Sequence, residues 1–207
     1  MLKILTVEVP YNKLLARLGY LQTKTKLDEK TAGLIRENLN LSQKLVKPQT
    51  AVAFENITIS GGKVSDEILF ESGYKIRSSN LMVLLRDCFK VYGISVTIGG
   101  LLERRRDVFL KKKETFNALI SDAVGSVAAE ETIDLVNAQI KSYEEKNGNI
   151  LTRRYSPGYG DWSLEDNKHF LDWIGAKHIG IKLNEFCQMN PEKSISALIG
   201  VAKRKTE

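Results

Sequence analysis

The segment from Arg154 to Trp162 combines an arginine, two tyrosines, an aspartate and a tryptophan with a proline and two glycines. Pro157 followed by Gly158 predicts a tight turn with exposed backbone groups. An arginine at the entrance of such a turn can bind a carboxylate through two parallel hydrogen bonds. Tyrosine rings beside it offer an apolar face and a hydroxyl group. The segment, here named the Arg154 loop, therefore predicts a site for an amphipathic ligand that carries an acid group.

A second candidate is Glu130, which follows two alanines in a stretch with helical spacing. Small residues allow a ligand or another backbone to approach a helix closely, although tight packing between helices explains them equally well. A carboxylate at this place can accept hydrogen bonds from an ammonium group or from ribose hydroxyls. A glutamate on a helix is usually solvated. Glu130 is therefore a candidate binding residue only in combination with the Arg154 loop.

Several familiar kinds of active site are excluded by spacing. The glycine pairs at 61–62 and 99–100 are not part of a phosphate-binding or dinucleotide-binding pattern. His169 and His178, the two histidines, lack metal-binding spacing, and no G-x-S-x-G nucleophile motif is present. The two cysteines are far apart, so we expect free thiols. The sequence thus predicts no catalytic residues and no metal site.

The elements that must position these residues follow from hydrophobic spacing and from cap residues. Helical patterns occupy five stretches, at 10–18, 28–47, 78–85, 101–146 and 163–173. Strand patterns occupy five others, at 51–59, 68–70, 90–98, 179–186 and 194–202. Strands come in blocks joined by turns or single helices rather than in alternating βαβ units. This order predicts an α+β fold, a mostly antiparallel twisted sheet with flanking helices, in one domain over residues 1–207.

Composition and charge limit the cellular locations and the kinds of partner that are expected. The chain has 207 residues, of which 43% are hydrophobic and 27% charged, as in soluble globular proteins. It contains neither an apolar run of about 20 residues nor a signal-peptide pattern at its start, so we expect a cytoplasmic protein with no membrane contact. The net charge of +6 is partly concentrated at 104–106 and 111–113. Such runs usually form a solvated surface, but they also suit an acidic partner or nucleic acid.

The Arg154 loop matches a known signature. Arg154-Tyr155-Ser156-Pro157-Gly158-Tyr159 resembles the Arg-x-x-x-Gly-Tyr motif of the S-adenosylmethionine-binding reactivation (activation) domain of cobalamin-dependent methionine synthase. Further segments resemble that family in the correct order and extend the similarity over nearly the whole chain. They are 15–20, the Cys88 region with 96–99, 122–126 with 129–130, 182–185, 189–191 and 193–196.

The resemblance implies a role for each matching residue. Arg154 would hold the carboxylate of S-adenosylmethionine, backbone groups near Tyr155, Ser156 and Gly158 would meet the ligand, and Tyr159 would lie alongside. Glu130 would correspond to the ligand-binding glutamate of the family.

The resemblance also implies partners. The protein would support the reductive methylation of cob(II)alamin carried by a separate methionine synthase core or another corrinoid protein, with a flavodoxin-like electron donor. It would be part of a methyltransferase system for methionine biosynthesis and not catalytic alone. Whether the chain is itself an enzyme is left open.

Two other interpretations stay open at this stage. The chain could be a module that docks a corrinoid protein and has lost ligand binding. It could also be a nucleic-acid-binding protein that uses residues 104–113. The second is disfavoured because Phe109 is the one aromatic residue in this run and no known motif surrounds it.

Overall fold

The fold was described from a computed structural model, which covers residues 6–20, 26–60 and 67–204. Helices and strands are mixed within it, as an α+β fold requires. The helices are α1 (Tyr11–Arg17), α2 (Glu29–Gln43), α3 (Ser79–Leu85), α4 (Leu101–Lys111), α5 (Thr115–Lys146) and α6 (Asn167–Ile174). The strands are β1 (Gln49–Ser60), β2 (Glu67–Phe70), β3 (Lys75–Ile76), β4 (Cys88–Thr97), β5 (Asn149–Leu151), β6 (Lys182–Leu183), β7 (Met189–Asn190) and β8 (Ser194–Lys203).

The main sheet has the strand order β3-β2-β1-β4-β8-β5 within the described residues, and β6 and β7 form a separate two-stranded sheet. β2 is antiparallel to both β1 and β3, and β5 is antiparallel to β8. The predicted fold class, α+β with a mostly antiparallel sheet, is confirmed. The glycine pair at 61–62 lies outside the described residues.

Local signals at two helix starts were read correctly. The carboxylate of Asp28 accepts a hydrogen bond from the backbone N–H of Thr31 at 2.9 Å, which caps α2. The hydroxyl of Ser78 accepts one from the N–H of Leu81 at 3.0 Å, which caps α3. The polar side chains of Asp28 and Ser78 therefore mark the starts of these two helices.

Two predicted elements were wrong in extent. The helix predicted over 101–146 is interrupted between α4 and α5, where Lys113 adopts a left-handed backbone with φ 63°. The strand predicted over 179–186 shrinks to β6. Gly180, with φ 80°, ends a short 3₁₀ turn just before it, and Cys187, with φ 60°, turns the chain just after it. Left-handed residues cannot continue a strand, so β6 is shorter than predicted.

The chain divides into two compact units. Unit 1 comprises residues 1–49, 96–134 and 190–195, and unit 2 comprises residues 50–95, 135–189 and 196–207. Each has its own apolar core. Ile35, Leu102 and Val124 are fully buried in the core of unit 1, and Phe70, Trp162 and Phe170 in that of unit 2. The description of residues 1–207 as one domain stays a prediction.

A buried carboxylate organises one part of unit 2. Glu144 of α5 is 1% exposed and accepts hydrogen bonds from the hydroxyl of Tyr92 at 2.6 Å and the amide of Asn149 at 2.6 Å. The ammonium of Lys90 pairs with the same carboxylate. Burial opposes ionisation of Glu144, but these donors outweigh it and hold its pKa below the usual range. The network ties the C-terminal part of α5 to β4 and to the start of β5.

Replacing this carboxylate by a neutral amide should destabilise the protein. Glu144→Gln keeps the side-chain volume but leaves the Lys90 ammonium without its counter-charge, so we expect a loss of about 3 kcal/mol in the free energy of unfolding. Urea denaturation at neutral pH measures it. Because the pKa of Glu144 is lowered on folding, the advantage of the wild type should shrink as pH falls below the ordinary glutamate value of about 4.3.

The control for this prediction is Glu145→Gln, since Glu145 is exposed and its carboxylate lies 3.9 Å from the ammonium of Lys141. It should change the free energy of unfolding by less than about 0.5 kcal/mol. Equal effects of the two substitutions would contradict the role given to Glu144.

Candidate functional site

The Arg154 loop is fixed to strand β8 by a change in register. Along β5, Leu151 pairs with Val201, and the N–H of Thr152 donates to the carbonyl of Gly200 at 3.0 Å. If the pairing continued unchanged, Arg154 would face Leu198. Tyr155 pairs there instead, through two backbone hydrogen bonds of 2.9 and 2.7 Å.

One extra residue is therefore inserted between Thr152 and Tyr155, and Arg153 and Arg154 lie in this β-bulge. Bulges change the direction in which side chains leave a strand. Arg153 is exposed and Arg154 half-buried. The register change thus sets where the predicted carboxylate-binding arginine leaves the sheet.

The turn that follows has the conformation that its residues predict. The N–H of Tyr159 donates to the carbonyl of Ser156 at 3.2 Å, with Pro157 and Gly158 at the two central positions. Gly158 has φ 90°, so the turn is of the type II class, which favours glycine at that position. The hydroxyl of Ser156 donates to the carbonyl of Ser196 at 2.6 Å. This bond fixes the start of the turn to β8.

Asp161, at the far end of the loop, connects the loop to α3 through hydrogen bonds. Its carboxylate accepts hydrogen bonds from the hydroxyl of Ser78 at 2.5 Å and from the backbone N–H of Ser79 at 2.6 Å. The N–H of Asn80 is a further donor at 3.3 Å. The hydrogen bond from Ser78 is the main reason why the pKa of Asp161 is lowered. The loop is therefore anchored to the first turn of α3.

The aromatic residues of the loop divide into two groups. Trp162 is 1% exposed, stacks on the ring of Tyr155 and meets Phe170 edge to face. The hydroxyl of Tyr155 donates to the carbonyl of Tyr159 at 3.1 Å, so this ring supports the loop from inside. Tyr159, by contrast, is 68% exposed. Of the two predicted tyrosines, Tyr159 presents its ring to solvent.

Glu130, the sixth predicted residue, belongs to unit 1 and lines a cavity of about 430 Å³. The volume lies in the range typical of small-molecule sites. α1 contributes Lys13, Ala16 and Arg17 to the lining, and α5 contributes six residues from Ser126 to Asp134. Residues 192–195 complete it. The other five predicted residues, from Arg154 to Tyr159, lie together in unit 2.

The side chain of Lys193 packs against a small residue of α5. A side chain at Gly125 would place its Cβ 3.0 Å from the Cγ of Lys193, so the aliphatic part of Lys193 lies directly on this glycine. The ammonium of Lys193 contacts the carboxylate of Asp122 at 2.7 Å and the hydroxyl of Ser126 at 3.0 Å. Burial works against ionisation of Asp122, but Lys193 and Arg106 lower its pKa nonetheless.

Two cavity residues, Arg17 and Lys193, were missed by sequence reasoning. Lys193 is 67 positions from Ser126 in the chain, and no local sequence pattern predicts a contact between them. The pairing of a glycine with a long side chain is recognisable only in three dimensions.

Part of the basic run at 104–113 is used within the fold. The guanidinium of Arg106 contacts the carboxylate of Glu192 at 2.6 Å, and that of Arg105 lies over the ring of Phe109. Arg104 and the lysines at 111–113 are exposed. Among the described residues no helix is long and apolar enough to cross a membrane. The same residues contain no cluster of side chains suited to a metal ion.

Comparisons with known proteins give a likeness in fold. No protein-family model matches the sequence, and no curated protein matches it. Among solved structures, the crystal structure of the MetH reactivation domain bound to AdoHcy superposes with a TM-score of 0.66. The match covers 98% of this chain and 76% of that one, at 14% sequence identity. The fold is therefore that of the MetH reactivation domain.

The close packing inside the Arg154 loop leads to a prediction for Gly160. Its φ is 56°, and a Cβ there would lie 2.1 Å from the hydroxyl oxygen of Tyr155. Gly160→Ala should therefore lower the free energy of unfolding by about 2 kcal/mol, as measured by urea denaturation. Gly180→Ala is the matched control, because Gly180 has φ 80° but no atom within 4 Å of its Cβ position. Equal losses would show that the contact with Tyr155 is unimportant.

Proposed function

We propose that this protein binds S-adenosylmethionine and supports the reductive methylation of a corrinoid cofactor carried by a separate protein. The observation that carries the proposal is the likeness in fold to the AdoHcy-bound MetH reactivation domain over nearly the whole chain. AdoHcy is the demethylated product of S-adenosylmethionine. The Arg154 loop supports the proposal independently, because hydrogen bonds hold the residues that its motif implies in a partly exposed turn.

The residues of the Arg154 loop are of types suited to the acid end of such a ligand. The guanidinium of Arg154, at the β-bulge, would hold the carboxylate in a bidentate geometry. The turn at Pro157 and Gly158 would offer backbone groups, and the exposed ring of Tyr159 would cover an apolar part of the ligand. The role of Glu130, which lies in unit 1, stays a prediction that rests on the resemblance alone.

The proposed chemistry does not require a catalytic side chain from this protein. S-adenosylmethionine supplies an activated methyl group, and one electron from a flavodoxin-like donor reduces cob(II)alamin. The methyl group then passes from sulfur to cobalt, which yields methylcobalamin and S-adenosylhomocysteine. The reduced cobalt is the nucleophile, so this chain would need to position the ligand and exclude water rather than supply a base. The corrinoid partner would be a methionine synthase core or a related methyltransferase.

Isothermal titration calorimetry with S-adenosylmethionine and with AdoHcy tests the ligand part. We expect the wild type to bind, and Arg154→Gln to raise Kd at least about tenfold, because a charge-assisted pair contributes about 1.5–3 kcal/mol. Glu130→Gln should weaken binding to a smaller degree. Arg153→Gln is the control, since Arg153 is the exposed neighbour in the same bulge. If the wild type shows no heat of binding with either ligand at millimolar concentration, the proposal is contradicted, and a docking module without a ligand is favoured.

Spectroscopy tests the partner part. A methionine synthase core without its own reactivation domain is held as cob(II)alamin with a reducing system. Addition of this protein and S-adenosylmethionine should convert the cob(II)alamin absorption spectrum to that of methylcobalamin, and Arg154→Gln should slow the conversion by at least about tenfold. The same rate with and without this protein would contradict a role in reactivation.

A further inference from the structure

Strand β5 is the last strand of the main sheet, and β8 is the one described strand that pairs with it. The N–H of Thr152 donates to the carbonyl of Gly200, and the carbonyl of Gly148 accepts from β8 as well. Backbone groups alternate in direction along an antiparallel strand, so those of Asn149 and Leu151 point away from β8. The outer edge of β5 therefore presents N–H and C=O groups to which a further strand can bond.

A cavity of about 490 Å³, here named the edge cavity, lies beside this strand within unit 2. Ile150 and Thr152 line it from β5, and Val83 and Leu84 line it from α3. Ile150 is 42% exposed and Val83 is 70% exposed, so both offer apolar surface. Side chains two positions apart share one face of a strand. A strand added to β5 would thus place every second side chain on the face of the edge cavity.

The lining of the edge cavity is basic. Arg86, just after α3, and Arg153, in the β-bulge, both belong to it and are exposed. Asp87 is the one carboxylate among the described lining residues, and it lies 3.6 Å from the guanidinium of Arg86. Two arginines and one aspartate leave one net positive charge. A segment with carboxylates beside an apolar residue complements this combination of charge and apolar surface.

The same charge argues against a second copy of this chain at the edge. Pairing of β5 with β5 of another copy would place two basic cavities along one shared edge, and each chain has a net charge of +6. Like charges close together destabilise a strand pair. The bulge at 153–154 also interrupts regular pairing near the end of β5, which shortens the edge available to a copy.

We propose that the edge of β5 binds an extended acidic segment of a partner protein, which adds a strand to the sheet. The segment exchanges backbone hydrogen bonds with Asn149 and Leu151. On the face of the edge cavity, an apolar side chain of the segment contacts Val83 and Ile150. Carboxylates two positions before and after that side chain face the two arginines. This surface goes beyond the proposed function, because it requires neither S-adenosylmethionine nor a corrinoid.

Amide NMR spectra of the protein, titrated with the end-blocked peptide Glu-Thr-Val-Thr-Glu, test the inference. The valine and both carboxylates share one face when this peptide is extended. We expect saturable shift changes at the amides of Asn149 and Leu151, with Kd on the order of 1 mM. The peptide Thr-Glu-Val-Glu-Thr has the same composition, but its valine and its carboxylates lie on opposite faces. It should bind at least about fivefold more weakly. Equal Kd values, or no changes at β5, overturn the inference.

Methylation of peptide N–H groups tests the added strand. In one peptide the N–H groups of both threonines are methylated, and in the other those of the valine and the last glutamate. The N–H groups of these two sets point to opposite edges of an extended chain. Binding should be lost in one of the two peptides, which identifies the edge that bonds to β5. Unchanged binding of both overturns the proposal.

Variants locate the segment in the edge cavity. Arg153→Gln and Val83→Glu should each raise Kd for Glu-Thr-Val-Thr-Glu at least about threefold. Arg104→Gln is the matched control, because Arg104 is exposed on α4 outside the lining, and it should have no effect. Equal effects of Arg153→Gln and Arg104→Gln overturn the assignment. Urea denaturation checks that the variants are folded. Shift changes at β5 on dilution of the protein alone would show self-association there and overturn the choice of an acidic segment.

Failure here and failure of the proposed function give different results. Binding of S-adenosylmethionine that depends on Arg154, without binding of the peptide, removes the edge site and leaves the proposed function intact. Binding of the peptide that depends on Arg153, without binding of S-adenosylmethionine or AdoHcy, does the reverse.

Discussion

The register change between β5 and β8 is the constraint on which the Arg154 loop depends. One inserted residue shifts the pairing, so that Tyr155 rather than Arg154 exchanges backbone hydrogen bonds with Leu198. Arg154 is thereby released from the regular ladder at the place where the loop begins. A strand without this bulge would alternate its side chains regularly and would direct the arginine by sheet geometry alone.

The Arg154 loop is held in place at both ends by polar and aromatic side chains. From the sequence alone, these side chains could equally have been assigned to ligand binding. Ser156 donates to β8, Asp161 accepts hydrogen bonds from Ser78 and Ser79 at the start of α3, and Trp162 is buried in the core of unit 2. Gly158 of the turn and the ring of Tyr159 are exposed to solvent. A loop held by hydrogen bonds at both ends would lose less conformational entropy when it binds a ligand.

Much of the fold could be predicted from sequence, and the exceptions have physical causes. Asp28 and Ser78 were identified as caps because capping depends on a few neighbouring residues. The strand predicted at 179–186 was wrong in extent because left-handed residues lie on both sides of β6, and left-handed Lys113 likewise interrupts the helical pattern at 101–146. Local signals do not report backbone conformations that tertiary packing stabilises.

The site was predictable to a lesser degree. The motif around Arg154 indicated a turn, and the structure has one, but the bulge that directs Arg154 depends on pairing with a strand more than forty residues later. The cavity around Glu130 involves Arg17 and Lys193, which come from opposite ends of the chain. Such contacts follow from topology rather than from spacing. Motif reasoning therefore located the residues of one loop and missed the charges of the cavity.

Backbone amide chemical shifts measured by NMR during titration with S-adenosylmethionine test the central claim most directly. The account predicts that the largest shift changes fall on the backbone amides of Arg154, Tyr155, Ser156, Gly158 and Tyr159, while amides of β2 and β3 stay unchanged. Saturable changes that leave residues 154–159 unaffected, or the absence of any change at millimolar ligand, would contradict it.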